Sequence, residues 1–251
     1  MILAAVAMLL VPMQFGGTAS AEGGVPGTLD PTFDTDGIAV NELVSRLSEV
    51  SDAAQLPDGK VLVLAGGNVW RFFADGTLDT GFDGDGVLKP ASSSQFSGDR
   101  MALRPTGGFV LTSGSAFTPD CASGFVAAFN AEGIPDTNFG GDGVACINST
   151  PQLSLVSDVI VQADGRVVVL GSARPAPGEG FRITLVRLDT TGNTVNTVIQ
   201  PDSAVDTSFE SGEELAVQAD GKIVVAGSTN HCADSAPSCD FSYINVVLSR
   251  Y

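Results

Sequence analysis

The chain has 251 residues, 43% of them hydrophobic and 16% charged, which is enough apolar material for one all-β domain or two smaller ones and describes neither a disordered chain nor a coiled coil. Aspartate and glutamate outnumber lysine and arginine by 29 to 12, and the resulting formal charge of −17 argues against nucleic acid and anionic membrane surfaces as partners. The lone histidine, His231, leaves little room for multi-histidine metal sites or histidine-based acid–base chemistry.

Residues 2–11 form an almost unbroken apolar run of about ten residues, too short to cross a bilayer. The stretch ends in Ala19-Ser20-Ala21, a small-x-small cleavage pattern just ahead of Glu22. It reads as a secretory signal peptide over residues 1–21, with residues 22–251 as a single mature domain. No lysine or arginine precedes the run, and the competing reading is an ordinary buried segment. No later stretch is apolar enough to insert into a membrane, and no cysteine follows the cleavage point to carry a lipid. The expected location is therefore secreted, periplasmic or at the cell surface.

Leu43, Leu47, Val50 and Ala54 have helical spacing, but the corresponding places farther along the chain lack it, so a strand with a long lead-in loop is expected here. Those corresponding places exist because the chain repeats. One segment recurs as QLPDGKVLVLAG from Gln55, LRPTGGFVLTSG from Leu103, VQADGRVVVLGS from Val161 and VQADGKIVVAGS from Val217. Its turn glycines, Gly59, Gly107, Gly165 and Gly221, are spaced by 48, 58 and 56 residues. A second element recurs as GTLDPTFDTDG from Gly27, GTLDTGFDGDG from Gly76 and EGIPDTNFGGDG from Glu132, with an eroded copy, TGNTVNTVIQPD, from Thr191. A third precedes it, as VWRFFADG, FVAAFNAEG and ITLVRLDTTG, and recurs as INVVLSRY from Ile244.

Asp-Gly between two apolar runs predicts a hairpin turn, because glycine adopts positive φ without a Cβ clash and aspartate accepts from nearby backbone amides. The runs after the turn are β-branched and continuously apolar, which predicts strands buried on both faces. Sheets stacked face to face around an axis provide that burial. Units of about 50–58 residues with about four short strands each predict an all-β, four-bladed β-propeller. Arg250-Tyr251 aligns with Arg71-Phe72, and the segment from Gly27 matches the one that comes after Phe72. Closure of the ring by pairing N- and C-terminal strands is therefore expected.

The pattern G-x-L-D-x-x-F-x-x-D-G followed by Q-x-D-G-K-I-V-V-A-G resembles the bacterial delta-60 repeat, a propeller-type repeat of exported and surface proteins, over nearly all of residues 27–251. The resemblance brings no enzymatic activity and no catalytic motif to carry over. Members are often longer, so four copies could be a small closed ring, half of a ring-completing dimer, or a truncated piece of a longer array.

Four cysteines fit an oxidising compartment, and the two local pairs Cys121–Cys146 and Cys232–Cys239 are the expected disulfides among three possible connectivities. A metal pair of Cys232 and Cys239 with His231 lacks a fourth ligand. If the segment before each hairpin turn is the innermost strand, the repeat superposes Asp52, Arg100, Asp158 and Glu214, with Ser51, Asp99, Ser157 and Glu213 just before them. Such a ring at the channel mouth could hold calcium through Asp52, Asp158 and Glu214, or bind a basic or hydroxylated ligand with Asp99, Arg100 and Glu213. The competing and simpler reading is that these side chains bond to neighbouring blades or face water. The D-x-D-G turns (Asp34 and Asp36, Asp83 and Asp85, and Asp142) resemble the opening of a calcium loop but lack its downstream glutamate. Trp70 could stack on a sugar, though its apolar strand suits a place in the core.

No nucleophile elbow, zinc-protease helix or phosphate loop is present. The expected function is a binding or scaffold module with no catalysis and no obligatory cofactor, acting on an unknown extracellular ligand or protein as a monomer or ring-completing dimer. The alternatives are a metal-dependent lyase or hydrolase using channel-mouth carboxylates, and a fragment of a longer repeat protein.

Overall fold

A computed structural model describes residues 28–34, 36–40, 50–90, 100–114, 121, 123–200, 209–230 and 244–251. All regular structure among them is β. Four antiparallel sheets, each built from strands consecutive in the chain, are the four blades of a β-propeller. Blade 1 contains β1 (Val50–Gln55), β2 (Val61–Ala65), β3 (Asn68–Phe72) and β4 (Val87–Leu88). Blade 2 contains β5 (Arg100–Leu103), β6 (Phe109–Ser113), β7 (Phe125–Phe129) and β8 (Val144–Cys146). Blade 3 contains β9 (Leu153–Val161), β10 (Val167–Ala173), β11 (Arg182–Leu188) and β12 (Thr194–Ile199). Blade 4 has three strands, β13 (Phe209–Val217), β14 (Ile223–Asn230) and β15 (Ile244–Arg250). The strand over 50–55 replaces the helix that local spacing allowed. The eroded fourth copy of the G-x-L-D element still makes β12, paired along β11.

The turns form as their chemistry requires. Asp58, Asp164 and Asp220 each accept the backbone N–H two residues on, and Gly59, Gly107, Gly165 and Gly221 have φ between 82° and 88°. Each hairpin delivers an apolar strand into a layer between blades. Leu62 and Leu64 of β2 share one cluster with Phe109 and Leu111 of β6. Val110 of β6 joins Val167 and Val169 of β10, and Val168 and Leu170 join Ile223 and Val225 of β14.

The expectation of burial on both faces holds for β6 and β10, where every residue is buried. It fails by half in the outermost blades. Val61 and Val63 of β2, and Val224 and Ala226 of β14, are only half-buried, because among the described strands blade 1 packs closely on blade 2 alone and blade 4 on blade 3 alone.

The expected pairing of the N- and C-terminal strands is not among the described ladders. β15 pairs with β14, and residues 28–40 lie instead on the turn of blade 1, where the Asp34 N–H donates to the Asp75 carbonyl at 2.9 Å. The copies from Gly76 and Glu132 make the same kind of contact with the blade after them. The Phe33 ring occupies the space a Cβ on Gly76 would need, as Phe82 does at Gly133 and Phe139 at Gly192.

The Cys121–Cys146 disulfide ties the segment before β7 to the outer strand β8, as the sequence predicts. Cys232 and Cys239, like residues 1–21, which the sequence reads as a signal peptide, lie outside the described residues. Among those residues, no helix is long and apolar enough to cross a membrane.

Two measurements check this architecture. Replacing Cys121 and Cys146 together by serine should cost about 3.5 kcal/mol in chemical unfolding, the closure entropy of a loop of this length. Gly107 and Gly108 both have positive φ, near 84°, but a Cβ on Gly107 meets nothing while one on Gly108 runs into the Phe129 carbonyl. Gly107→Ala should therefore cost about 1–2 kcal/mol, and Gly108→Ala at least twice as much, read as the difference in urea midpoints.

Candidate functional site

The first strands of the four blades, β1, β5, β9 and β13, are also the strands through which successive blades meet. Asp52, Arg100, Asp158 and Glu214 occupy one register on them, opposite Leu64, Thr112, Leu170 and Ala226, so the structure keeps the superposition that the repeat predicts. In β1, β9 and β13 the preceding residue (Ser51, Ser157 or Glu213) is the extra residue of a β-bulge. A bulge sharpens the local twist and re-aims the next side chain, here along the seam between blades.

The carboxylates are engaged there. Asp52 Oδ1 accepts the N–H of Ala53 at 2.7 Å, and its Oδ2 accepts the N–H of Met101 in blade 2 at 2.9 Å. Asp158 does the same one step on: Oδ1 accepts from Val159 at 2.8 Å and Oδ2 from Leu215 in blade 4 at 2.6 Å. Both residues therefore staple their own blade to the next through a backbone amide. Arg100 stands at this position in blade 2 and is half-buried, while Glu213 and Glu214 are exposed. Asp99 lies outside the described residues.

Asp158 is the most perturbed of the set. Burial, with 8% of the residue exposed, pushes its carboxyl up to about 6, and the Glu214 charge adds to the rise. The two N–H donors and the Arg100 charge work in the opposite direction. Asp158, Arg100 and Glu214 thus form one electrostatic group, whereas Asp52 is tied to Met101. Among the described residues, no three or more His, Cys, Asp or Glu side chains are grouped to hold a metal ion.

The D-x-D-G turns are built from local bonds. Asp36, Asp85 and Asp142 each accept the N–H two residues on through Oδ1. Asp34 and Asp83 have φ of 43° and 48°, the left-handed conformation that Gly140 adopts at the matching place. Trp70 is 8% exposed and packs with Ala65 and Val87 in an apolar cluster.

Sequence reasoning missed a second polar set. Arg71 donates from Nε to Asp79 Oδ2 at 2.7 Å, and from Nη1 to the Ala131 carbonyl of blade 2. Its guanidinium also lies 4.5 Å from the centre of the Phe82 ring. Lys60 reaches the same Asp79 oxygen at 3.2 Å. Burial pushes the Asp79 carboxyl up, but the Lys60 hydrogen bond and the Arg71 charge and hydrogen bond together hold it below the usual range. In blade 2, Arg104 pairs with Asp136 at 2.7 Å and lowers its carboxyl in turn. The available signal was the aspartate of G-x-L-D, which recurs at Asp30, Asp79 and Asp136.

The signs of these shifts separate two pH windows. Asp158 binds its proton more tightly when folded, so its contribution to stability is greatest below about pH 4 and is lost as the pH rises through about 6. Asp79 and Asp136 behave oppositely, and their contribution disappears only below about pH 4. Asp158→Asn removes the first effect and also loses one acceptor for the Leu215 N–H. The difference in unfolding free energy between wild type and this variant should therefore change between about pH 4 and pH 6.5 and stay flat above pH 7. Carbon-detected NMR of the Asp158 carboxyl should titrate near 6.

Comparison with known family models supports the architecture. The family model described as "Domain of unknown function (DUF5122) beta-propeller" matches residues 56–82, 162–194 and 218–236, which contain the hairpin turns of blades 1, 3 and 4. No curated protein matches the sequence. Among solved structures, the chain is similar to a protein of unknown function from Bacteroides caccae, with 11% identity and a TM-score of 0.45. That alignment covers 80% of this chain and 62% of the other, so this chain spans less than two thirds of the length of its neighbour. Sheet topology, repeat register and the family match together make this a propeller-type repeat protein.

Proposed function

We propose that the protein is an exported propeller of the delta-60 type that acts as a binding or scaffold module and catalyses no reaction of its own. The observation that carries this reading is the use made of the inner-strand carboxylates. Asp52 and Asp158 each commit both oxygens to backbone amides, one of them in the next blade, which is the work of a structural staple. The turn aspartates are likewise spent on their own turns. A disulfide between Cys121 and Cys146 is compatible with an extracellular location. The formal charge of −17 suits a basic or hydroxylated ligand better than an anionic one.

The test uses the full chain, assayed for turnover of exported polysaccharides and lactones in EDTA and then in millimolar calcium, alongside thermal unfolding in both buffers. No turnover and an unchanged midpoint are expected. A calcium site filled to about 100 times its dissociation constant would add about 2.7 kcal/mol and move the midpoint visibly. Turnover that disappears in a combined Asp52→Asn, Asp158→Asn and Glu214→Gln variant would replace this reading with a cation-dependent lyase or hydrolase.

A further inference from the structure

In blades 1 and 2 the third strand is held by a loop that comes after it in the chain. The Arg71 N–H of β3 donates to the Gly86 carbonyl at 3.2 Å, and its carbonyl accepts from the Asp79 N–H at 2.9 Å. Ala128 of β7 makes the same two bonds with Gly143 and Asp136, both at 2.8 Å. The loop closes on itself in the same way in both blades, Gly86 to Phe82 at 2.7 Å and Gly143 to Phe139 at 2.8 Å. It also seats its phenylalanine on the turn of the following blade. One loop therefore completes its own blade and docks the next.

Residues 28–40 are a third copy of this loop, already folded. The Gly37 N–H donates to the Phe33 carbonyl at 2.7 Å, Phe33 to Asp30 at 3.1 Å, and Phe33 sits on the turn of blade 1. No described strand lies in its grip, and Leu29, Ile38 and Val40 are 59%, 52% and 77% exposed. At the other end of the chain, β15 has a partner on one edge only, with Val246 87% and Leu248 74% exposed. Tyr251 pairs with Ile223 as Phe72 pairs with Val61, which places Arg250 at the position of Arg71. Asp30 occupies the position of Asp79: its Oδ1 accepts from the residue two on, as in Asp79 and Asp136, while Oδ2 is the oxygen that in those two takes an arginine.

We infer that the protein joins a second copy of itself, the loop at residues 28–40 of each copy gripping β15 of the other. Arg250 then meets Asp30 of the partner copy, and blade 4 of one copy stacks on blade 1 of the other, covering the half-buried faces of β2 and β14. A second copy is favoured because the loop and β15 are both formed within one chain yet share no ladder or backbone hydrogen bond among the described residues, while blades 1 and 2, 2 and 3, and 3 and 4 do pack. Two copies joined head to tail make eight blades, within the roughly four to eight that close into rings, and both seams are then sealed by the same contact.

The test uses light scattering of the full chain at tens of micromolar, with two single variants, Arg250→Glu and Asp30→Arg. Wild type should have twice the chain mass. Each variant alone places like charges at both seams and should weaken association at least tenfold, to monomer in this range. Mixing the two places opposite charges at both seams and should restore the doubled mass. Circular dichroism on every sample checks folding, and Leu248→Asp, a change on an exposed position, should also give monomer. A monomeric wild type, which would point to closure within one chain, a doubled mass that survives all three substitutions, or variants that fail to recombine on mixing would each overturn the inference.

Discussion

A sheet whose central strand is apolar on both sides has two faces to keep from water. In Val167-Val168-Val169-Leu170, alternate residues enter different clusters, Val167 and Val169 toward blade 2, Val168 and Leu170 toward blade 4. Each side chain so buried is worth about 1.5–3 kcal/mol, and leaving one face of such a strand wet would forfeit several of them. The blade therefore cannot exist alone. Its stability depends on neighbours, and the neighbours need neighbours of their own, so this condition forces the sheets into a succession around an axis.

Apolar layers between sheets are permissive about how far one sheet slides over the next, and the polar contacts supply the missing specificity. Asp52 and Asp158 each bond to a single backbone amide of the following blade, and a shift of one residue would leave a carboxylate facing a side chain instead of an N–H. At the outer edge, Arg71 links three things at once: the Asp79 carboxylate of its own blade, the Ala131 carbonyl of the next, and the Phe82 ring between them. Inner and outer contacts together fix both ends of the seam between blades.

Much of this was legible in the sequence, because turns and repeats are local chemistry. The Asp-Gly turns, the continuous apolar runs, the register of Asp52, Arg100, Asp158 and Glu214, and the Cys121–Cys146 pair all derive from residue type and spacing. What was not legible depends on position within the assembly. VLVLAG and VVVLGS are nearly the same string, yet Val63 is half-buried while Val168 and Val169 are wholly buried, because one strand has a blade on each side and the other does not. A carboxylate's partner is likewise invisible from spacing when that partner is an amide of another blade. The sequence superposes Asp158 on Asp52, Arg100 and Glu214 and leaves open a ligand role or a bond to a neighbouring blade; the partner that the structure shows is the amide of Leu215, 57 residues on.

The repeat unit and the blade are out of phase, and this offset has physical consequences. The loop that grips a third strand also docks on the turn of the blade that comes after it in sequence, so a copy placed ahead of blade 1 is seated on blade 1 before it has gripped anything. Its backbone is already shaped, since Phe33, Gly37 and Asp34 hold it in the conformation seen at Phe82, Gly86 and Asp83. Pre-shaping lowers the ordering entropy that strand addition would otherwise cost. A strand edge with two exposed apolar side chains is an aggregation hazard when nothing specific covers it. A loop that fits that edge in register and in charge, carried by the same polypeptide at its opposite end, turns the hazard into a directed contact.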